Sequence, residues 1–237
     1  SRGVLIYSKS LSDENYLKQI ENNIDDFIGI KHYSKNADFS IKDLYIYKNK
    51  IFISYTEEIK EDCWNTSVIY GNINYESIEF QKLFSPKECV LWKETTKNIG
   101  VDNEFTAHQA GGKIVSFDDN HILLSVGEYK SRHLAQNKES VNGKILKINI
   151  NNSDYEIISM GHRSPQGLYL DKENNFILET EHGPRGGDEI NLIEIDKMTK
   201  NEPFNYGWPV ASAGEHYCKK KGDCHKDLYV KYPLYKS

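Results

Sequence analysis

Apolar positions along this chain fall mostly in short alternating runs, and the runs come in pairs around a polar turn. Residues 43 to 55 read Asp-Leu-Tyr-Ile-Tyr-Lys-Asn-Lys-Ile-Phe-Ile-Ser-Tyr, two such runs about Lys48-Asn49-Lys50. Residues 113 to 127 repeat the scheme: Ile114-Val115-Ser116-Phe117, a turn at Asp118-Asp119-Asn120, then Ile122-Leu123-Leu124-Ser125. Residues 167 to 180 repeat it again, with Leu168-Tyr169-Leu170 and Phe176-Ile177-Leu178 flanking a turn between 171 and 175. Period-2 runs around a polar turn predict β-hairpins. Each hairpin is followed by a further strand-like run, at residues 67–70, 145–150 and 190–195. The N-terminal residues 1 to 7 also read as a strand. One stretch has helical spacing: Ser12-Asp13-Glu14-Asn15 makes a helix start, with Tyr16, Ile20 and Ile24 on one face.

The unit recurs at roughly 50 to 70 residues, near the length of a four-stranded propeller blade with insertions. Three units are visible. Ring closure takes more blades than three, and an open ring leaves strand edges unpaired, so the pattern predicts part of a longer propeller. A two-sheet sandwich fits the same short strands.

Composition sharpens this only in places. The chain has 237 residues, 38% hydrophobic, with aromatics at 12% including 16 Tyr, which indicates a folded protein. A formal charge of -5 without a basic run offers nothing to nucleic acid. No apolar stretch is long enough for a transmembrane helix. Cys63, Cys89, Cys218 and Cys224 contain no Cys-x-x-Cys pair, which disfavours a zinc or redox motif. Pairing Cys63 with Cys89 and Cys218 with Cys224 is the simplest disulfide scheme and implies an oxidising compartment, with four free thiols as the alternative.

The chemistry is concentrated in polar runs around the third hairpin. Gly161-His162-Arg163-Ser164-Pro165-Gln166-Gly167 precedes it, and Glu181-His182-Gly183-Pro184-Arg185-Gly186-Gly187-Asp188-Glu189-Ile190-Asn191 follows. Asn205-Tyr206-Gly207-Trp208-Pro209 comes soon after. Upstream lie Ala107-His108-Gln109-Ala110-Gly111-Gly112, Ser125-Val126-Gly127-Glu128 and Asn142-Gly143-Lys144-Ile145-Leu146. In this order the runs resemble the soluble PQQ-dependent glucose and aldose sugar dehydrogenases. The clear match covers about residues 105–217 of one partial propeller domain spanning 1–237. Several multi-residue motifs in sequence are far more specific than one short motif. The resemblance implies an all-β, six-bladed propeller, of which about three blades are present, and so selects the propeller over the sandwich.

It also implies roles. His108 would be the general base that takes the proton of a sugar C1 hydroxyl; imidazole suits this because its base form is populated near neutral pH. Glu128 would orient that imidazole. Arg163 would lie against the cofactor and stabilise negative charge developing on the quinone oxygen. Gln109, Ser164 and Gln166 fall at cofactor-contact positions, although asparagine is usual where Ser164 stands. Gly183 and Pro184 would give main-chain carbonyls to the calcium ion that binds PQQ. Glu189, with the backbone of Tyr206, would hold a second, structural calcium. Read alone, these residues are ordinary: a loop histidine, a surface arginine, a Gly-Pro turn, a solvated strand end at Asp188 and Glu189, and Trp208 as packing between blades.

The implied enzyme oxidises an aldose at C1 to the lactone and passes electrons to an external acceptor. Its partners would be a sugar, that acceptor and a second copy of the chain. Its location would be periplasmic or secreted. In the family, further basic groups that hold the quinone come from later blades, so the stretch given is expected to bind PQQ poorly by itself. Two other readings compete. One is a non-catalytic binding propeller of the hedgehog-interacting type. The other is a calcium-dependent propeller lactonase, which needs side-chain carboxylates converging on the metal.

Overall fold

The computed structural model describes residues 5–7, 18–28, 41–91, 107–184, 186–198, 202–213, 215–216 and 235–236. Strands β1 (Leu5–Tyr7) and β2 (Lys18–Asn22) pair antiparallel. The first full sheet runs β3 (Ile41–Tyr47), β4 (Lys50–Lys60) and β5 (Cys63–Asn72). The short β6 (Ser77–Ile78) pairs with β2. Strands β7 (Gln81–Phe84) and β8 (Val90–Leu91) both pair with β5. The second sheet is the meander β9 (Gly111–Ser116), β10 (His121–Val126), β11 (Lys144–Asn149) and β12 (Tyr155–Met160). A single-turn helix α1 (Arg132–Ala135) lies between β10 and β11. The third sheet is β13 (Pro165–Asp171), β14 (Phe176–Glu181) and β15 (Glu189–Glu194). Strand β16 (Phe204–Asn205) then returns to pair with β12, so the chain stitches the third sheet back to the second.

All three predicted hairpins form, at β3–β4, β9–β10 and β13–β14, and each is continued by a third antiparallel strand. The helix expected from Ser12 onward is a correction. Ile20 lies in β2 and Ile24 opens a 3-10 turn, while Ser12 to Tyr16 are outside the described residues. Positions four apart share a face in a strand as well as in a helix. Here the choice goes to the strand because β1 and β6 supply its backbone partners. Of the cysteines, Cys63 and Cys89 form a disulfide that ties β5 to the segment leading into β8. Cys218 and Cys224 lie outside the described residues.

The sheets stack through apolar layers. Phe52, Val68 and Leu83 of the first sheet meet Ile114, Ile122, Leu124 and Leu146 of the second. The other face of the second sheet, through Leu123, Ile145 and Ile158, meets Leu168, Ile177 and Ile193 of the third. A sheet covered on both faces needs apolar residues on both, which is why β10 reads Ile122-Leu123-Leu124 without alternation. The outer face of the first sheet, with Ile51, Ile53 and Ile69, is closed by Ile20, Ile24 and Ile28.

The first strands of the three sheets, β3, β9 and β13, run beside one another. The backbones approach closely here. Gly111 and Gly112 have φ of 66° and 107°, in the left-handed region that favours glycine. A Cβ on Gly112 would sit 2.3 Å from Lys42 Cβ, and one on Gly111 would sit 2.8 Å from Gly127 N. Asp43 of β3 bridges to β9, accepting from Ile114 N at 2.9 Å and pairing with Lys113 Nζ at 3.1 Å. Ser125 Oγ donates to Pro165 O at 2.9 Å and joins the second sheet to the third.

Candidate active site

The polar runs lie at the end of the stack where β10 leaves and β13 begins, and main-chain hydrogen bonds knit them together. Gly127 N donates to Ala110 O at 2.9 Å, and Tyr129 N donates to Gln109 O at 3.2 Å. Glu128 N donates to Arg163 O at 3.1 Å, and His182 N donates to Ser164 O at 3.3 Å. The loops carrying His108, Glu128, Arg163 and Gly183 are therefore consecutive layers of one rim. Gly127 permits the closest of these contacts, since a Cβ there would lie 1.8 Å from Gln109 O.

Within the rim, His108 is exposed. Its neighbour Gln109 has a left-handed φ of 60° and a buried Oε1 with no hydrogen-bond partner among the described residues. Glu128 is 1% exposed, and its Oε2 is likewise unpartnered. Burial pushes its carboxyl up to about 7, against the opposing pull of the Arg163 and Arg132 guanidiniums. Glu128 thus faces the charge of both arginines, and its main chain is bonded to that of Arg163.

Arg163 Nη1 donates to His182 O at 2.8 Å, and the guanidinium lies 5.5 Å from the Trp208 ring centre. Arg132 approaches the same indole at 5.1 Å. Trp208 is buried, as expected of packing, but two cations share its ring, which makes it part of the rim's electrostatics. Arg132 was missed by sequence reasoning, because one arginine after a turn carries no local signal. Ser164 is buried and accepts from Gln166 Nε2 at 3.0 Å, while Gln166 itself is exposed. A narrow cleft brings Arg163, Gly183, Pro184, Glu189 and Trp208 together. The loop from Gly183 to Asp188 folds on itself, with Asp188 Oδ1 accepting from Gly183 N at 2.9 Å. Asp188 is exposed, but Glu189 is 7% exposed, so it is not a solvated strand end. Tyr206 is buried, with its hydroxyl donating to Leu192 O. Arg185 lies outside the described residues.

Below this rim sits a buried polar cluster. In the β14–β15 register, Glu181 faces Glu189 and Glu179 faces Asn191, so all four lie on one face. His162 is fully buried beside them, stacked on Tyr206 at 5.0 Å. Its Nδ1 is 3.1 Å from Glu181 Oε1 and 3.5 Å from Glu179 Oε2, and its Nε2 is 2.8 Å from Ser159 Oγ. Burial and the neighbouring Glu181 raise Glu189 to about 7 and push Glu179 well above the usual carboxylate range. The cluster is shut away from solvent, so it does not offer a lactonase-type metal to a substrate.

The residues fit part of a site for a planar, anionic cofactor. They provide a guanidinium held over an indole and a cleft walled by the Gly183–Pro184 turn. Comparison with known proteins points the same way. The family model described as Glucose / Sorbosone dehydrogenase matches residues 36–228. The aldose sugar dehydrogenase YliI of Escherichia coli (strain K12) is 29% identical over 181 residues, covering 71% of this chain and 44% of YliI. Quinoprotein glucose dehydrogenase B of Acinetobacter calcoaceticus is 30% identical over 132 residues, covering 43% of this chain and 26% of that protein. The chain thus spans less than half the length of these relatives. Among solved structures, the apo-form of the soluble aldose sugar dehydrogenase from Escherichia coli is 26% identical with a TM-score of 0.57, covering 79% of this chain and 54% of that one. A structure described as glucose dehydrogenase is 21% identical with a TM-score of 0.67, covering 94% and 63%; it shares the propeller-type fold.

Proposed function

This chain belongs to the glucose / sorbosone dehydrogenase family, and from that premise we propose that it is part of a PQQ- and calcium-dependent enzyme oxidising the C1 hydroxyl of an aldose to the lactone. The observation that carries the reading is the single rim in which the loops of His108, Glu128, Arg163 and Gly183 are hydrogen-bonded layer on layer. The relative from Acinetobacter calcoaceticus, a quinoprotein by name, supports the choice of cofactor. PQQ held here would supply the hydride acceptor for C1, and its calcium would supply Lewis acidity at the accepting carbonyl.

In this proposal His108 takes the proton from the sugar hydroxyl oxygen. Its exposure suits a base that must meet a substrate arriving from solvent. Arg163 presents a fixed positive charge where negative charge develops, and its bond to His182 O holds the guanidinium in place. Glu128, tied to Arg163 through backbone and charge, tunes that arginine. Gln109, Ser164 and Gln166 hold the cofactor. The carbonyls of Gly183 and Pro184 hold its calcium, and Glu189 with the backbone of Tyr206 holds a second ion. The Cys63–Cys89 disulfide supports a periplasmic or secreted location. Among the described residues no helix is long and apolar enough to cross a membrane.

The test is dye reduction by the full-length protein supplied with PQQ and calcium, across a panel of aldoses. Turnover that needs the quinone and is lost in His108→Ala is the expected result. No quinone-dependent turnover with any sugar would favour the non-catalytic binding propeller.

A further inference from the structure

The cluster under the rim is built around a conflict. Asn191 Nδ2 lies 2.9 Å from Glu179 Oε2, 3.1 Å from Glu181 Oε1 and 3.3 Å from Glu189 Oε2. An amide NH2 has two protons, so three carboxylates compete for two donors. The imidazole of His162 fits in two ways: Nδ1–H donates to Glu181 Oε1 while Nε2 accepts from Ser159 Oγ, or Nε2–H donates to Ser159 Oγ and leaves the Nδ1 lone pair toward the carboxylates, ready for a cation. Meanwhile Glu179 Oε1 and Asn191 Oδ1 are buried with no hydrogen-bond partner among the described residues. Both parent residues are 0% exposed, so bulk solvent does not reach those oxygens.

We infer that His162, Glu179 and Glu181 form a binding site for one divalent first-row cation of the zinc or manganese class, with Asn191 completing it through its amide oxygen. One potential ligand atom from each of the three lies within 4.8 Å of the others. Separations of 3.1 and 3.5 Å from the imidazole nitrogen match neighbouring ligands around an ion with bonds of roughly 2.0–2.2 Å. Rotating the Asn191 amide by half a turn brings its unpartnered oxygen to the point the three carboxylates share. Amide oxygen and nitrogen are close to interchangeable in shape. An imidazole ligand selects against calcium, which takes oxygen donors, and favours a first-row ion. The hydrogen bond from His162 to Ser159 is the outer support such a ligand needs.

The ion also has a structural consequence at the rim. Glu181 turns Oε1 to the cluster, while its Oε2 accepts from Arg163 N and, at 3.4 Å, from Ser164 N. A cation on Oε1 therefore anchors the main chain that presents Arg163. The site is independent of the quinone reading, and its test uses neither PQQ nor sugar.

The full chain is unfolded in chelator and refolded with excess calcium, with or without zinc or manganese, then dialysed and subjected to elemental analysis. About one zinc or manganese per chain is expected despite the calcium. The thermal midpoint should rise by on the order of 5–10 °C once the ion is well above its dissociation constant. Glu179→Gln, which keeps the shape, should return the metal content to background. Ser159→Ala should weaken binding roughly 10- to 100-fold. Metal content that is nil in the native chain, or equal in the native chain and Glu179→Gln, overturns the proposal. So does a midpoint that ignores both metals and rises in Glu179→Gln, since that identifies a proton in the ion's place. Should Glu179→Gln fail to fold, the native chain's metal content and midpoint decide the matter.

Discussion

Strands β10 and β14 hold the same place in successive sheets, yet they end in opposite ways. β10 is buried from Ile122 to Val126, and the one polar side chain in that buried stretch, Ser125, bonds across to the next sheet. β14 starts alike, with Ile177 fully buried between sheets, then runs into Glu179 and Glu181, which are also buried. Burial is therefore not what separates the two regions. In the interblade layers it removes apolar area from water and stabilises the fold. Toward the rim of the third sheet it is imposed on carboxylates, which is costly unless a partner compensates. Residues of the first kind are interchangeable by volume. Those of the second kind need a group that compensates their burial.

The sharpest way to test this division is to strike each side and read both stability and activity. Arg163→Ala should lower quinone-dependent turnover by roughly 10²–10³-fold, the usual cost of a lost charge-stabilising donor, while the thermal midpoint barely moves. A large drop in midpoint would instead make Arg163 a structural residue. Leu123→Ala should do the reverse. It empties a position packed between two sheets and should cost about 2–5 kcal/mol in urea unfolding, leaving turnover per folded molecule unchanged.

Glu128→Gln probes the boundary between the regions. Folding raises this carboxyl from its ordinary 4.5 to about 7, so within that window the folded protein keeps a proton the unfolded chain has released. Its contribution to stability is complete below about 4.5 and is lost as pH rises through about 7. The glutamine variant should therefore show a flatter stability profile over that range than the native chain, measured by unfolding at several pH values. An unchanged profile would mean Glu128 is ionised throughout. Smallest of all, Trp208→Phe keeps an aromatic ring but weakens its hold on Arg132 and Arg163, and should cost about 1 kcal/mol or less in unfolding.

Much of the architecture was legible in one dimension. The period-2 runs and polar turns at Lys48-Asn49, Asp118-Asp119-Asn120 and residues 171–175 announced three hairpins, and the strands formed where the runs stood. The failure at Ile20 is instructive, because spacing by four residues suits either period and only neighbouring strands decide between them. The motif order around His108, Arg163 and Gly183 announced a family. It did not reveal Arg132 beside Trp208, nor the buried face shared by Glu179, Glu181, Glu189 and Asn191. Those carboxylates look in sequence like the exposed side of an alternating strand: Glu179, Thr180 and Glu181 follow an apolar run, and polar residues at a strand end are normally solvated.

What this sequence settled alone is local: where the backbone turns, which segments extend, and which loops carry glycine at left-handed φ. These depend on side-chain size and neighbour chemistry within a few residues. What only the folded chain decided is which residues are denied water. That depends on the sheet that covers them, and it turned an ordinary pair of glutamates 179 and 181 into buried carboxyls facing His162, fewer than twenty residues earlier in the chain. No local rule sees that covering layer, because it is assembled from strands dozens of positions away.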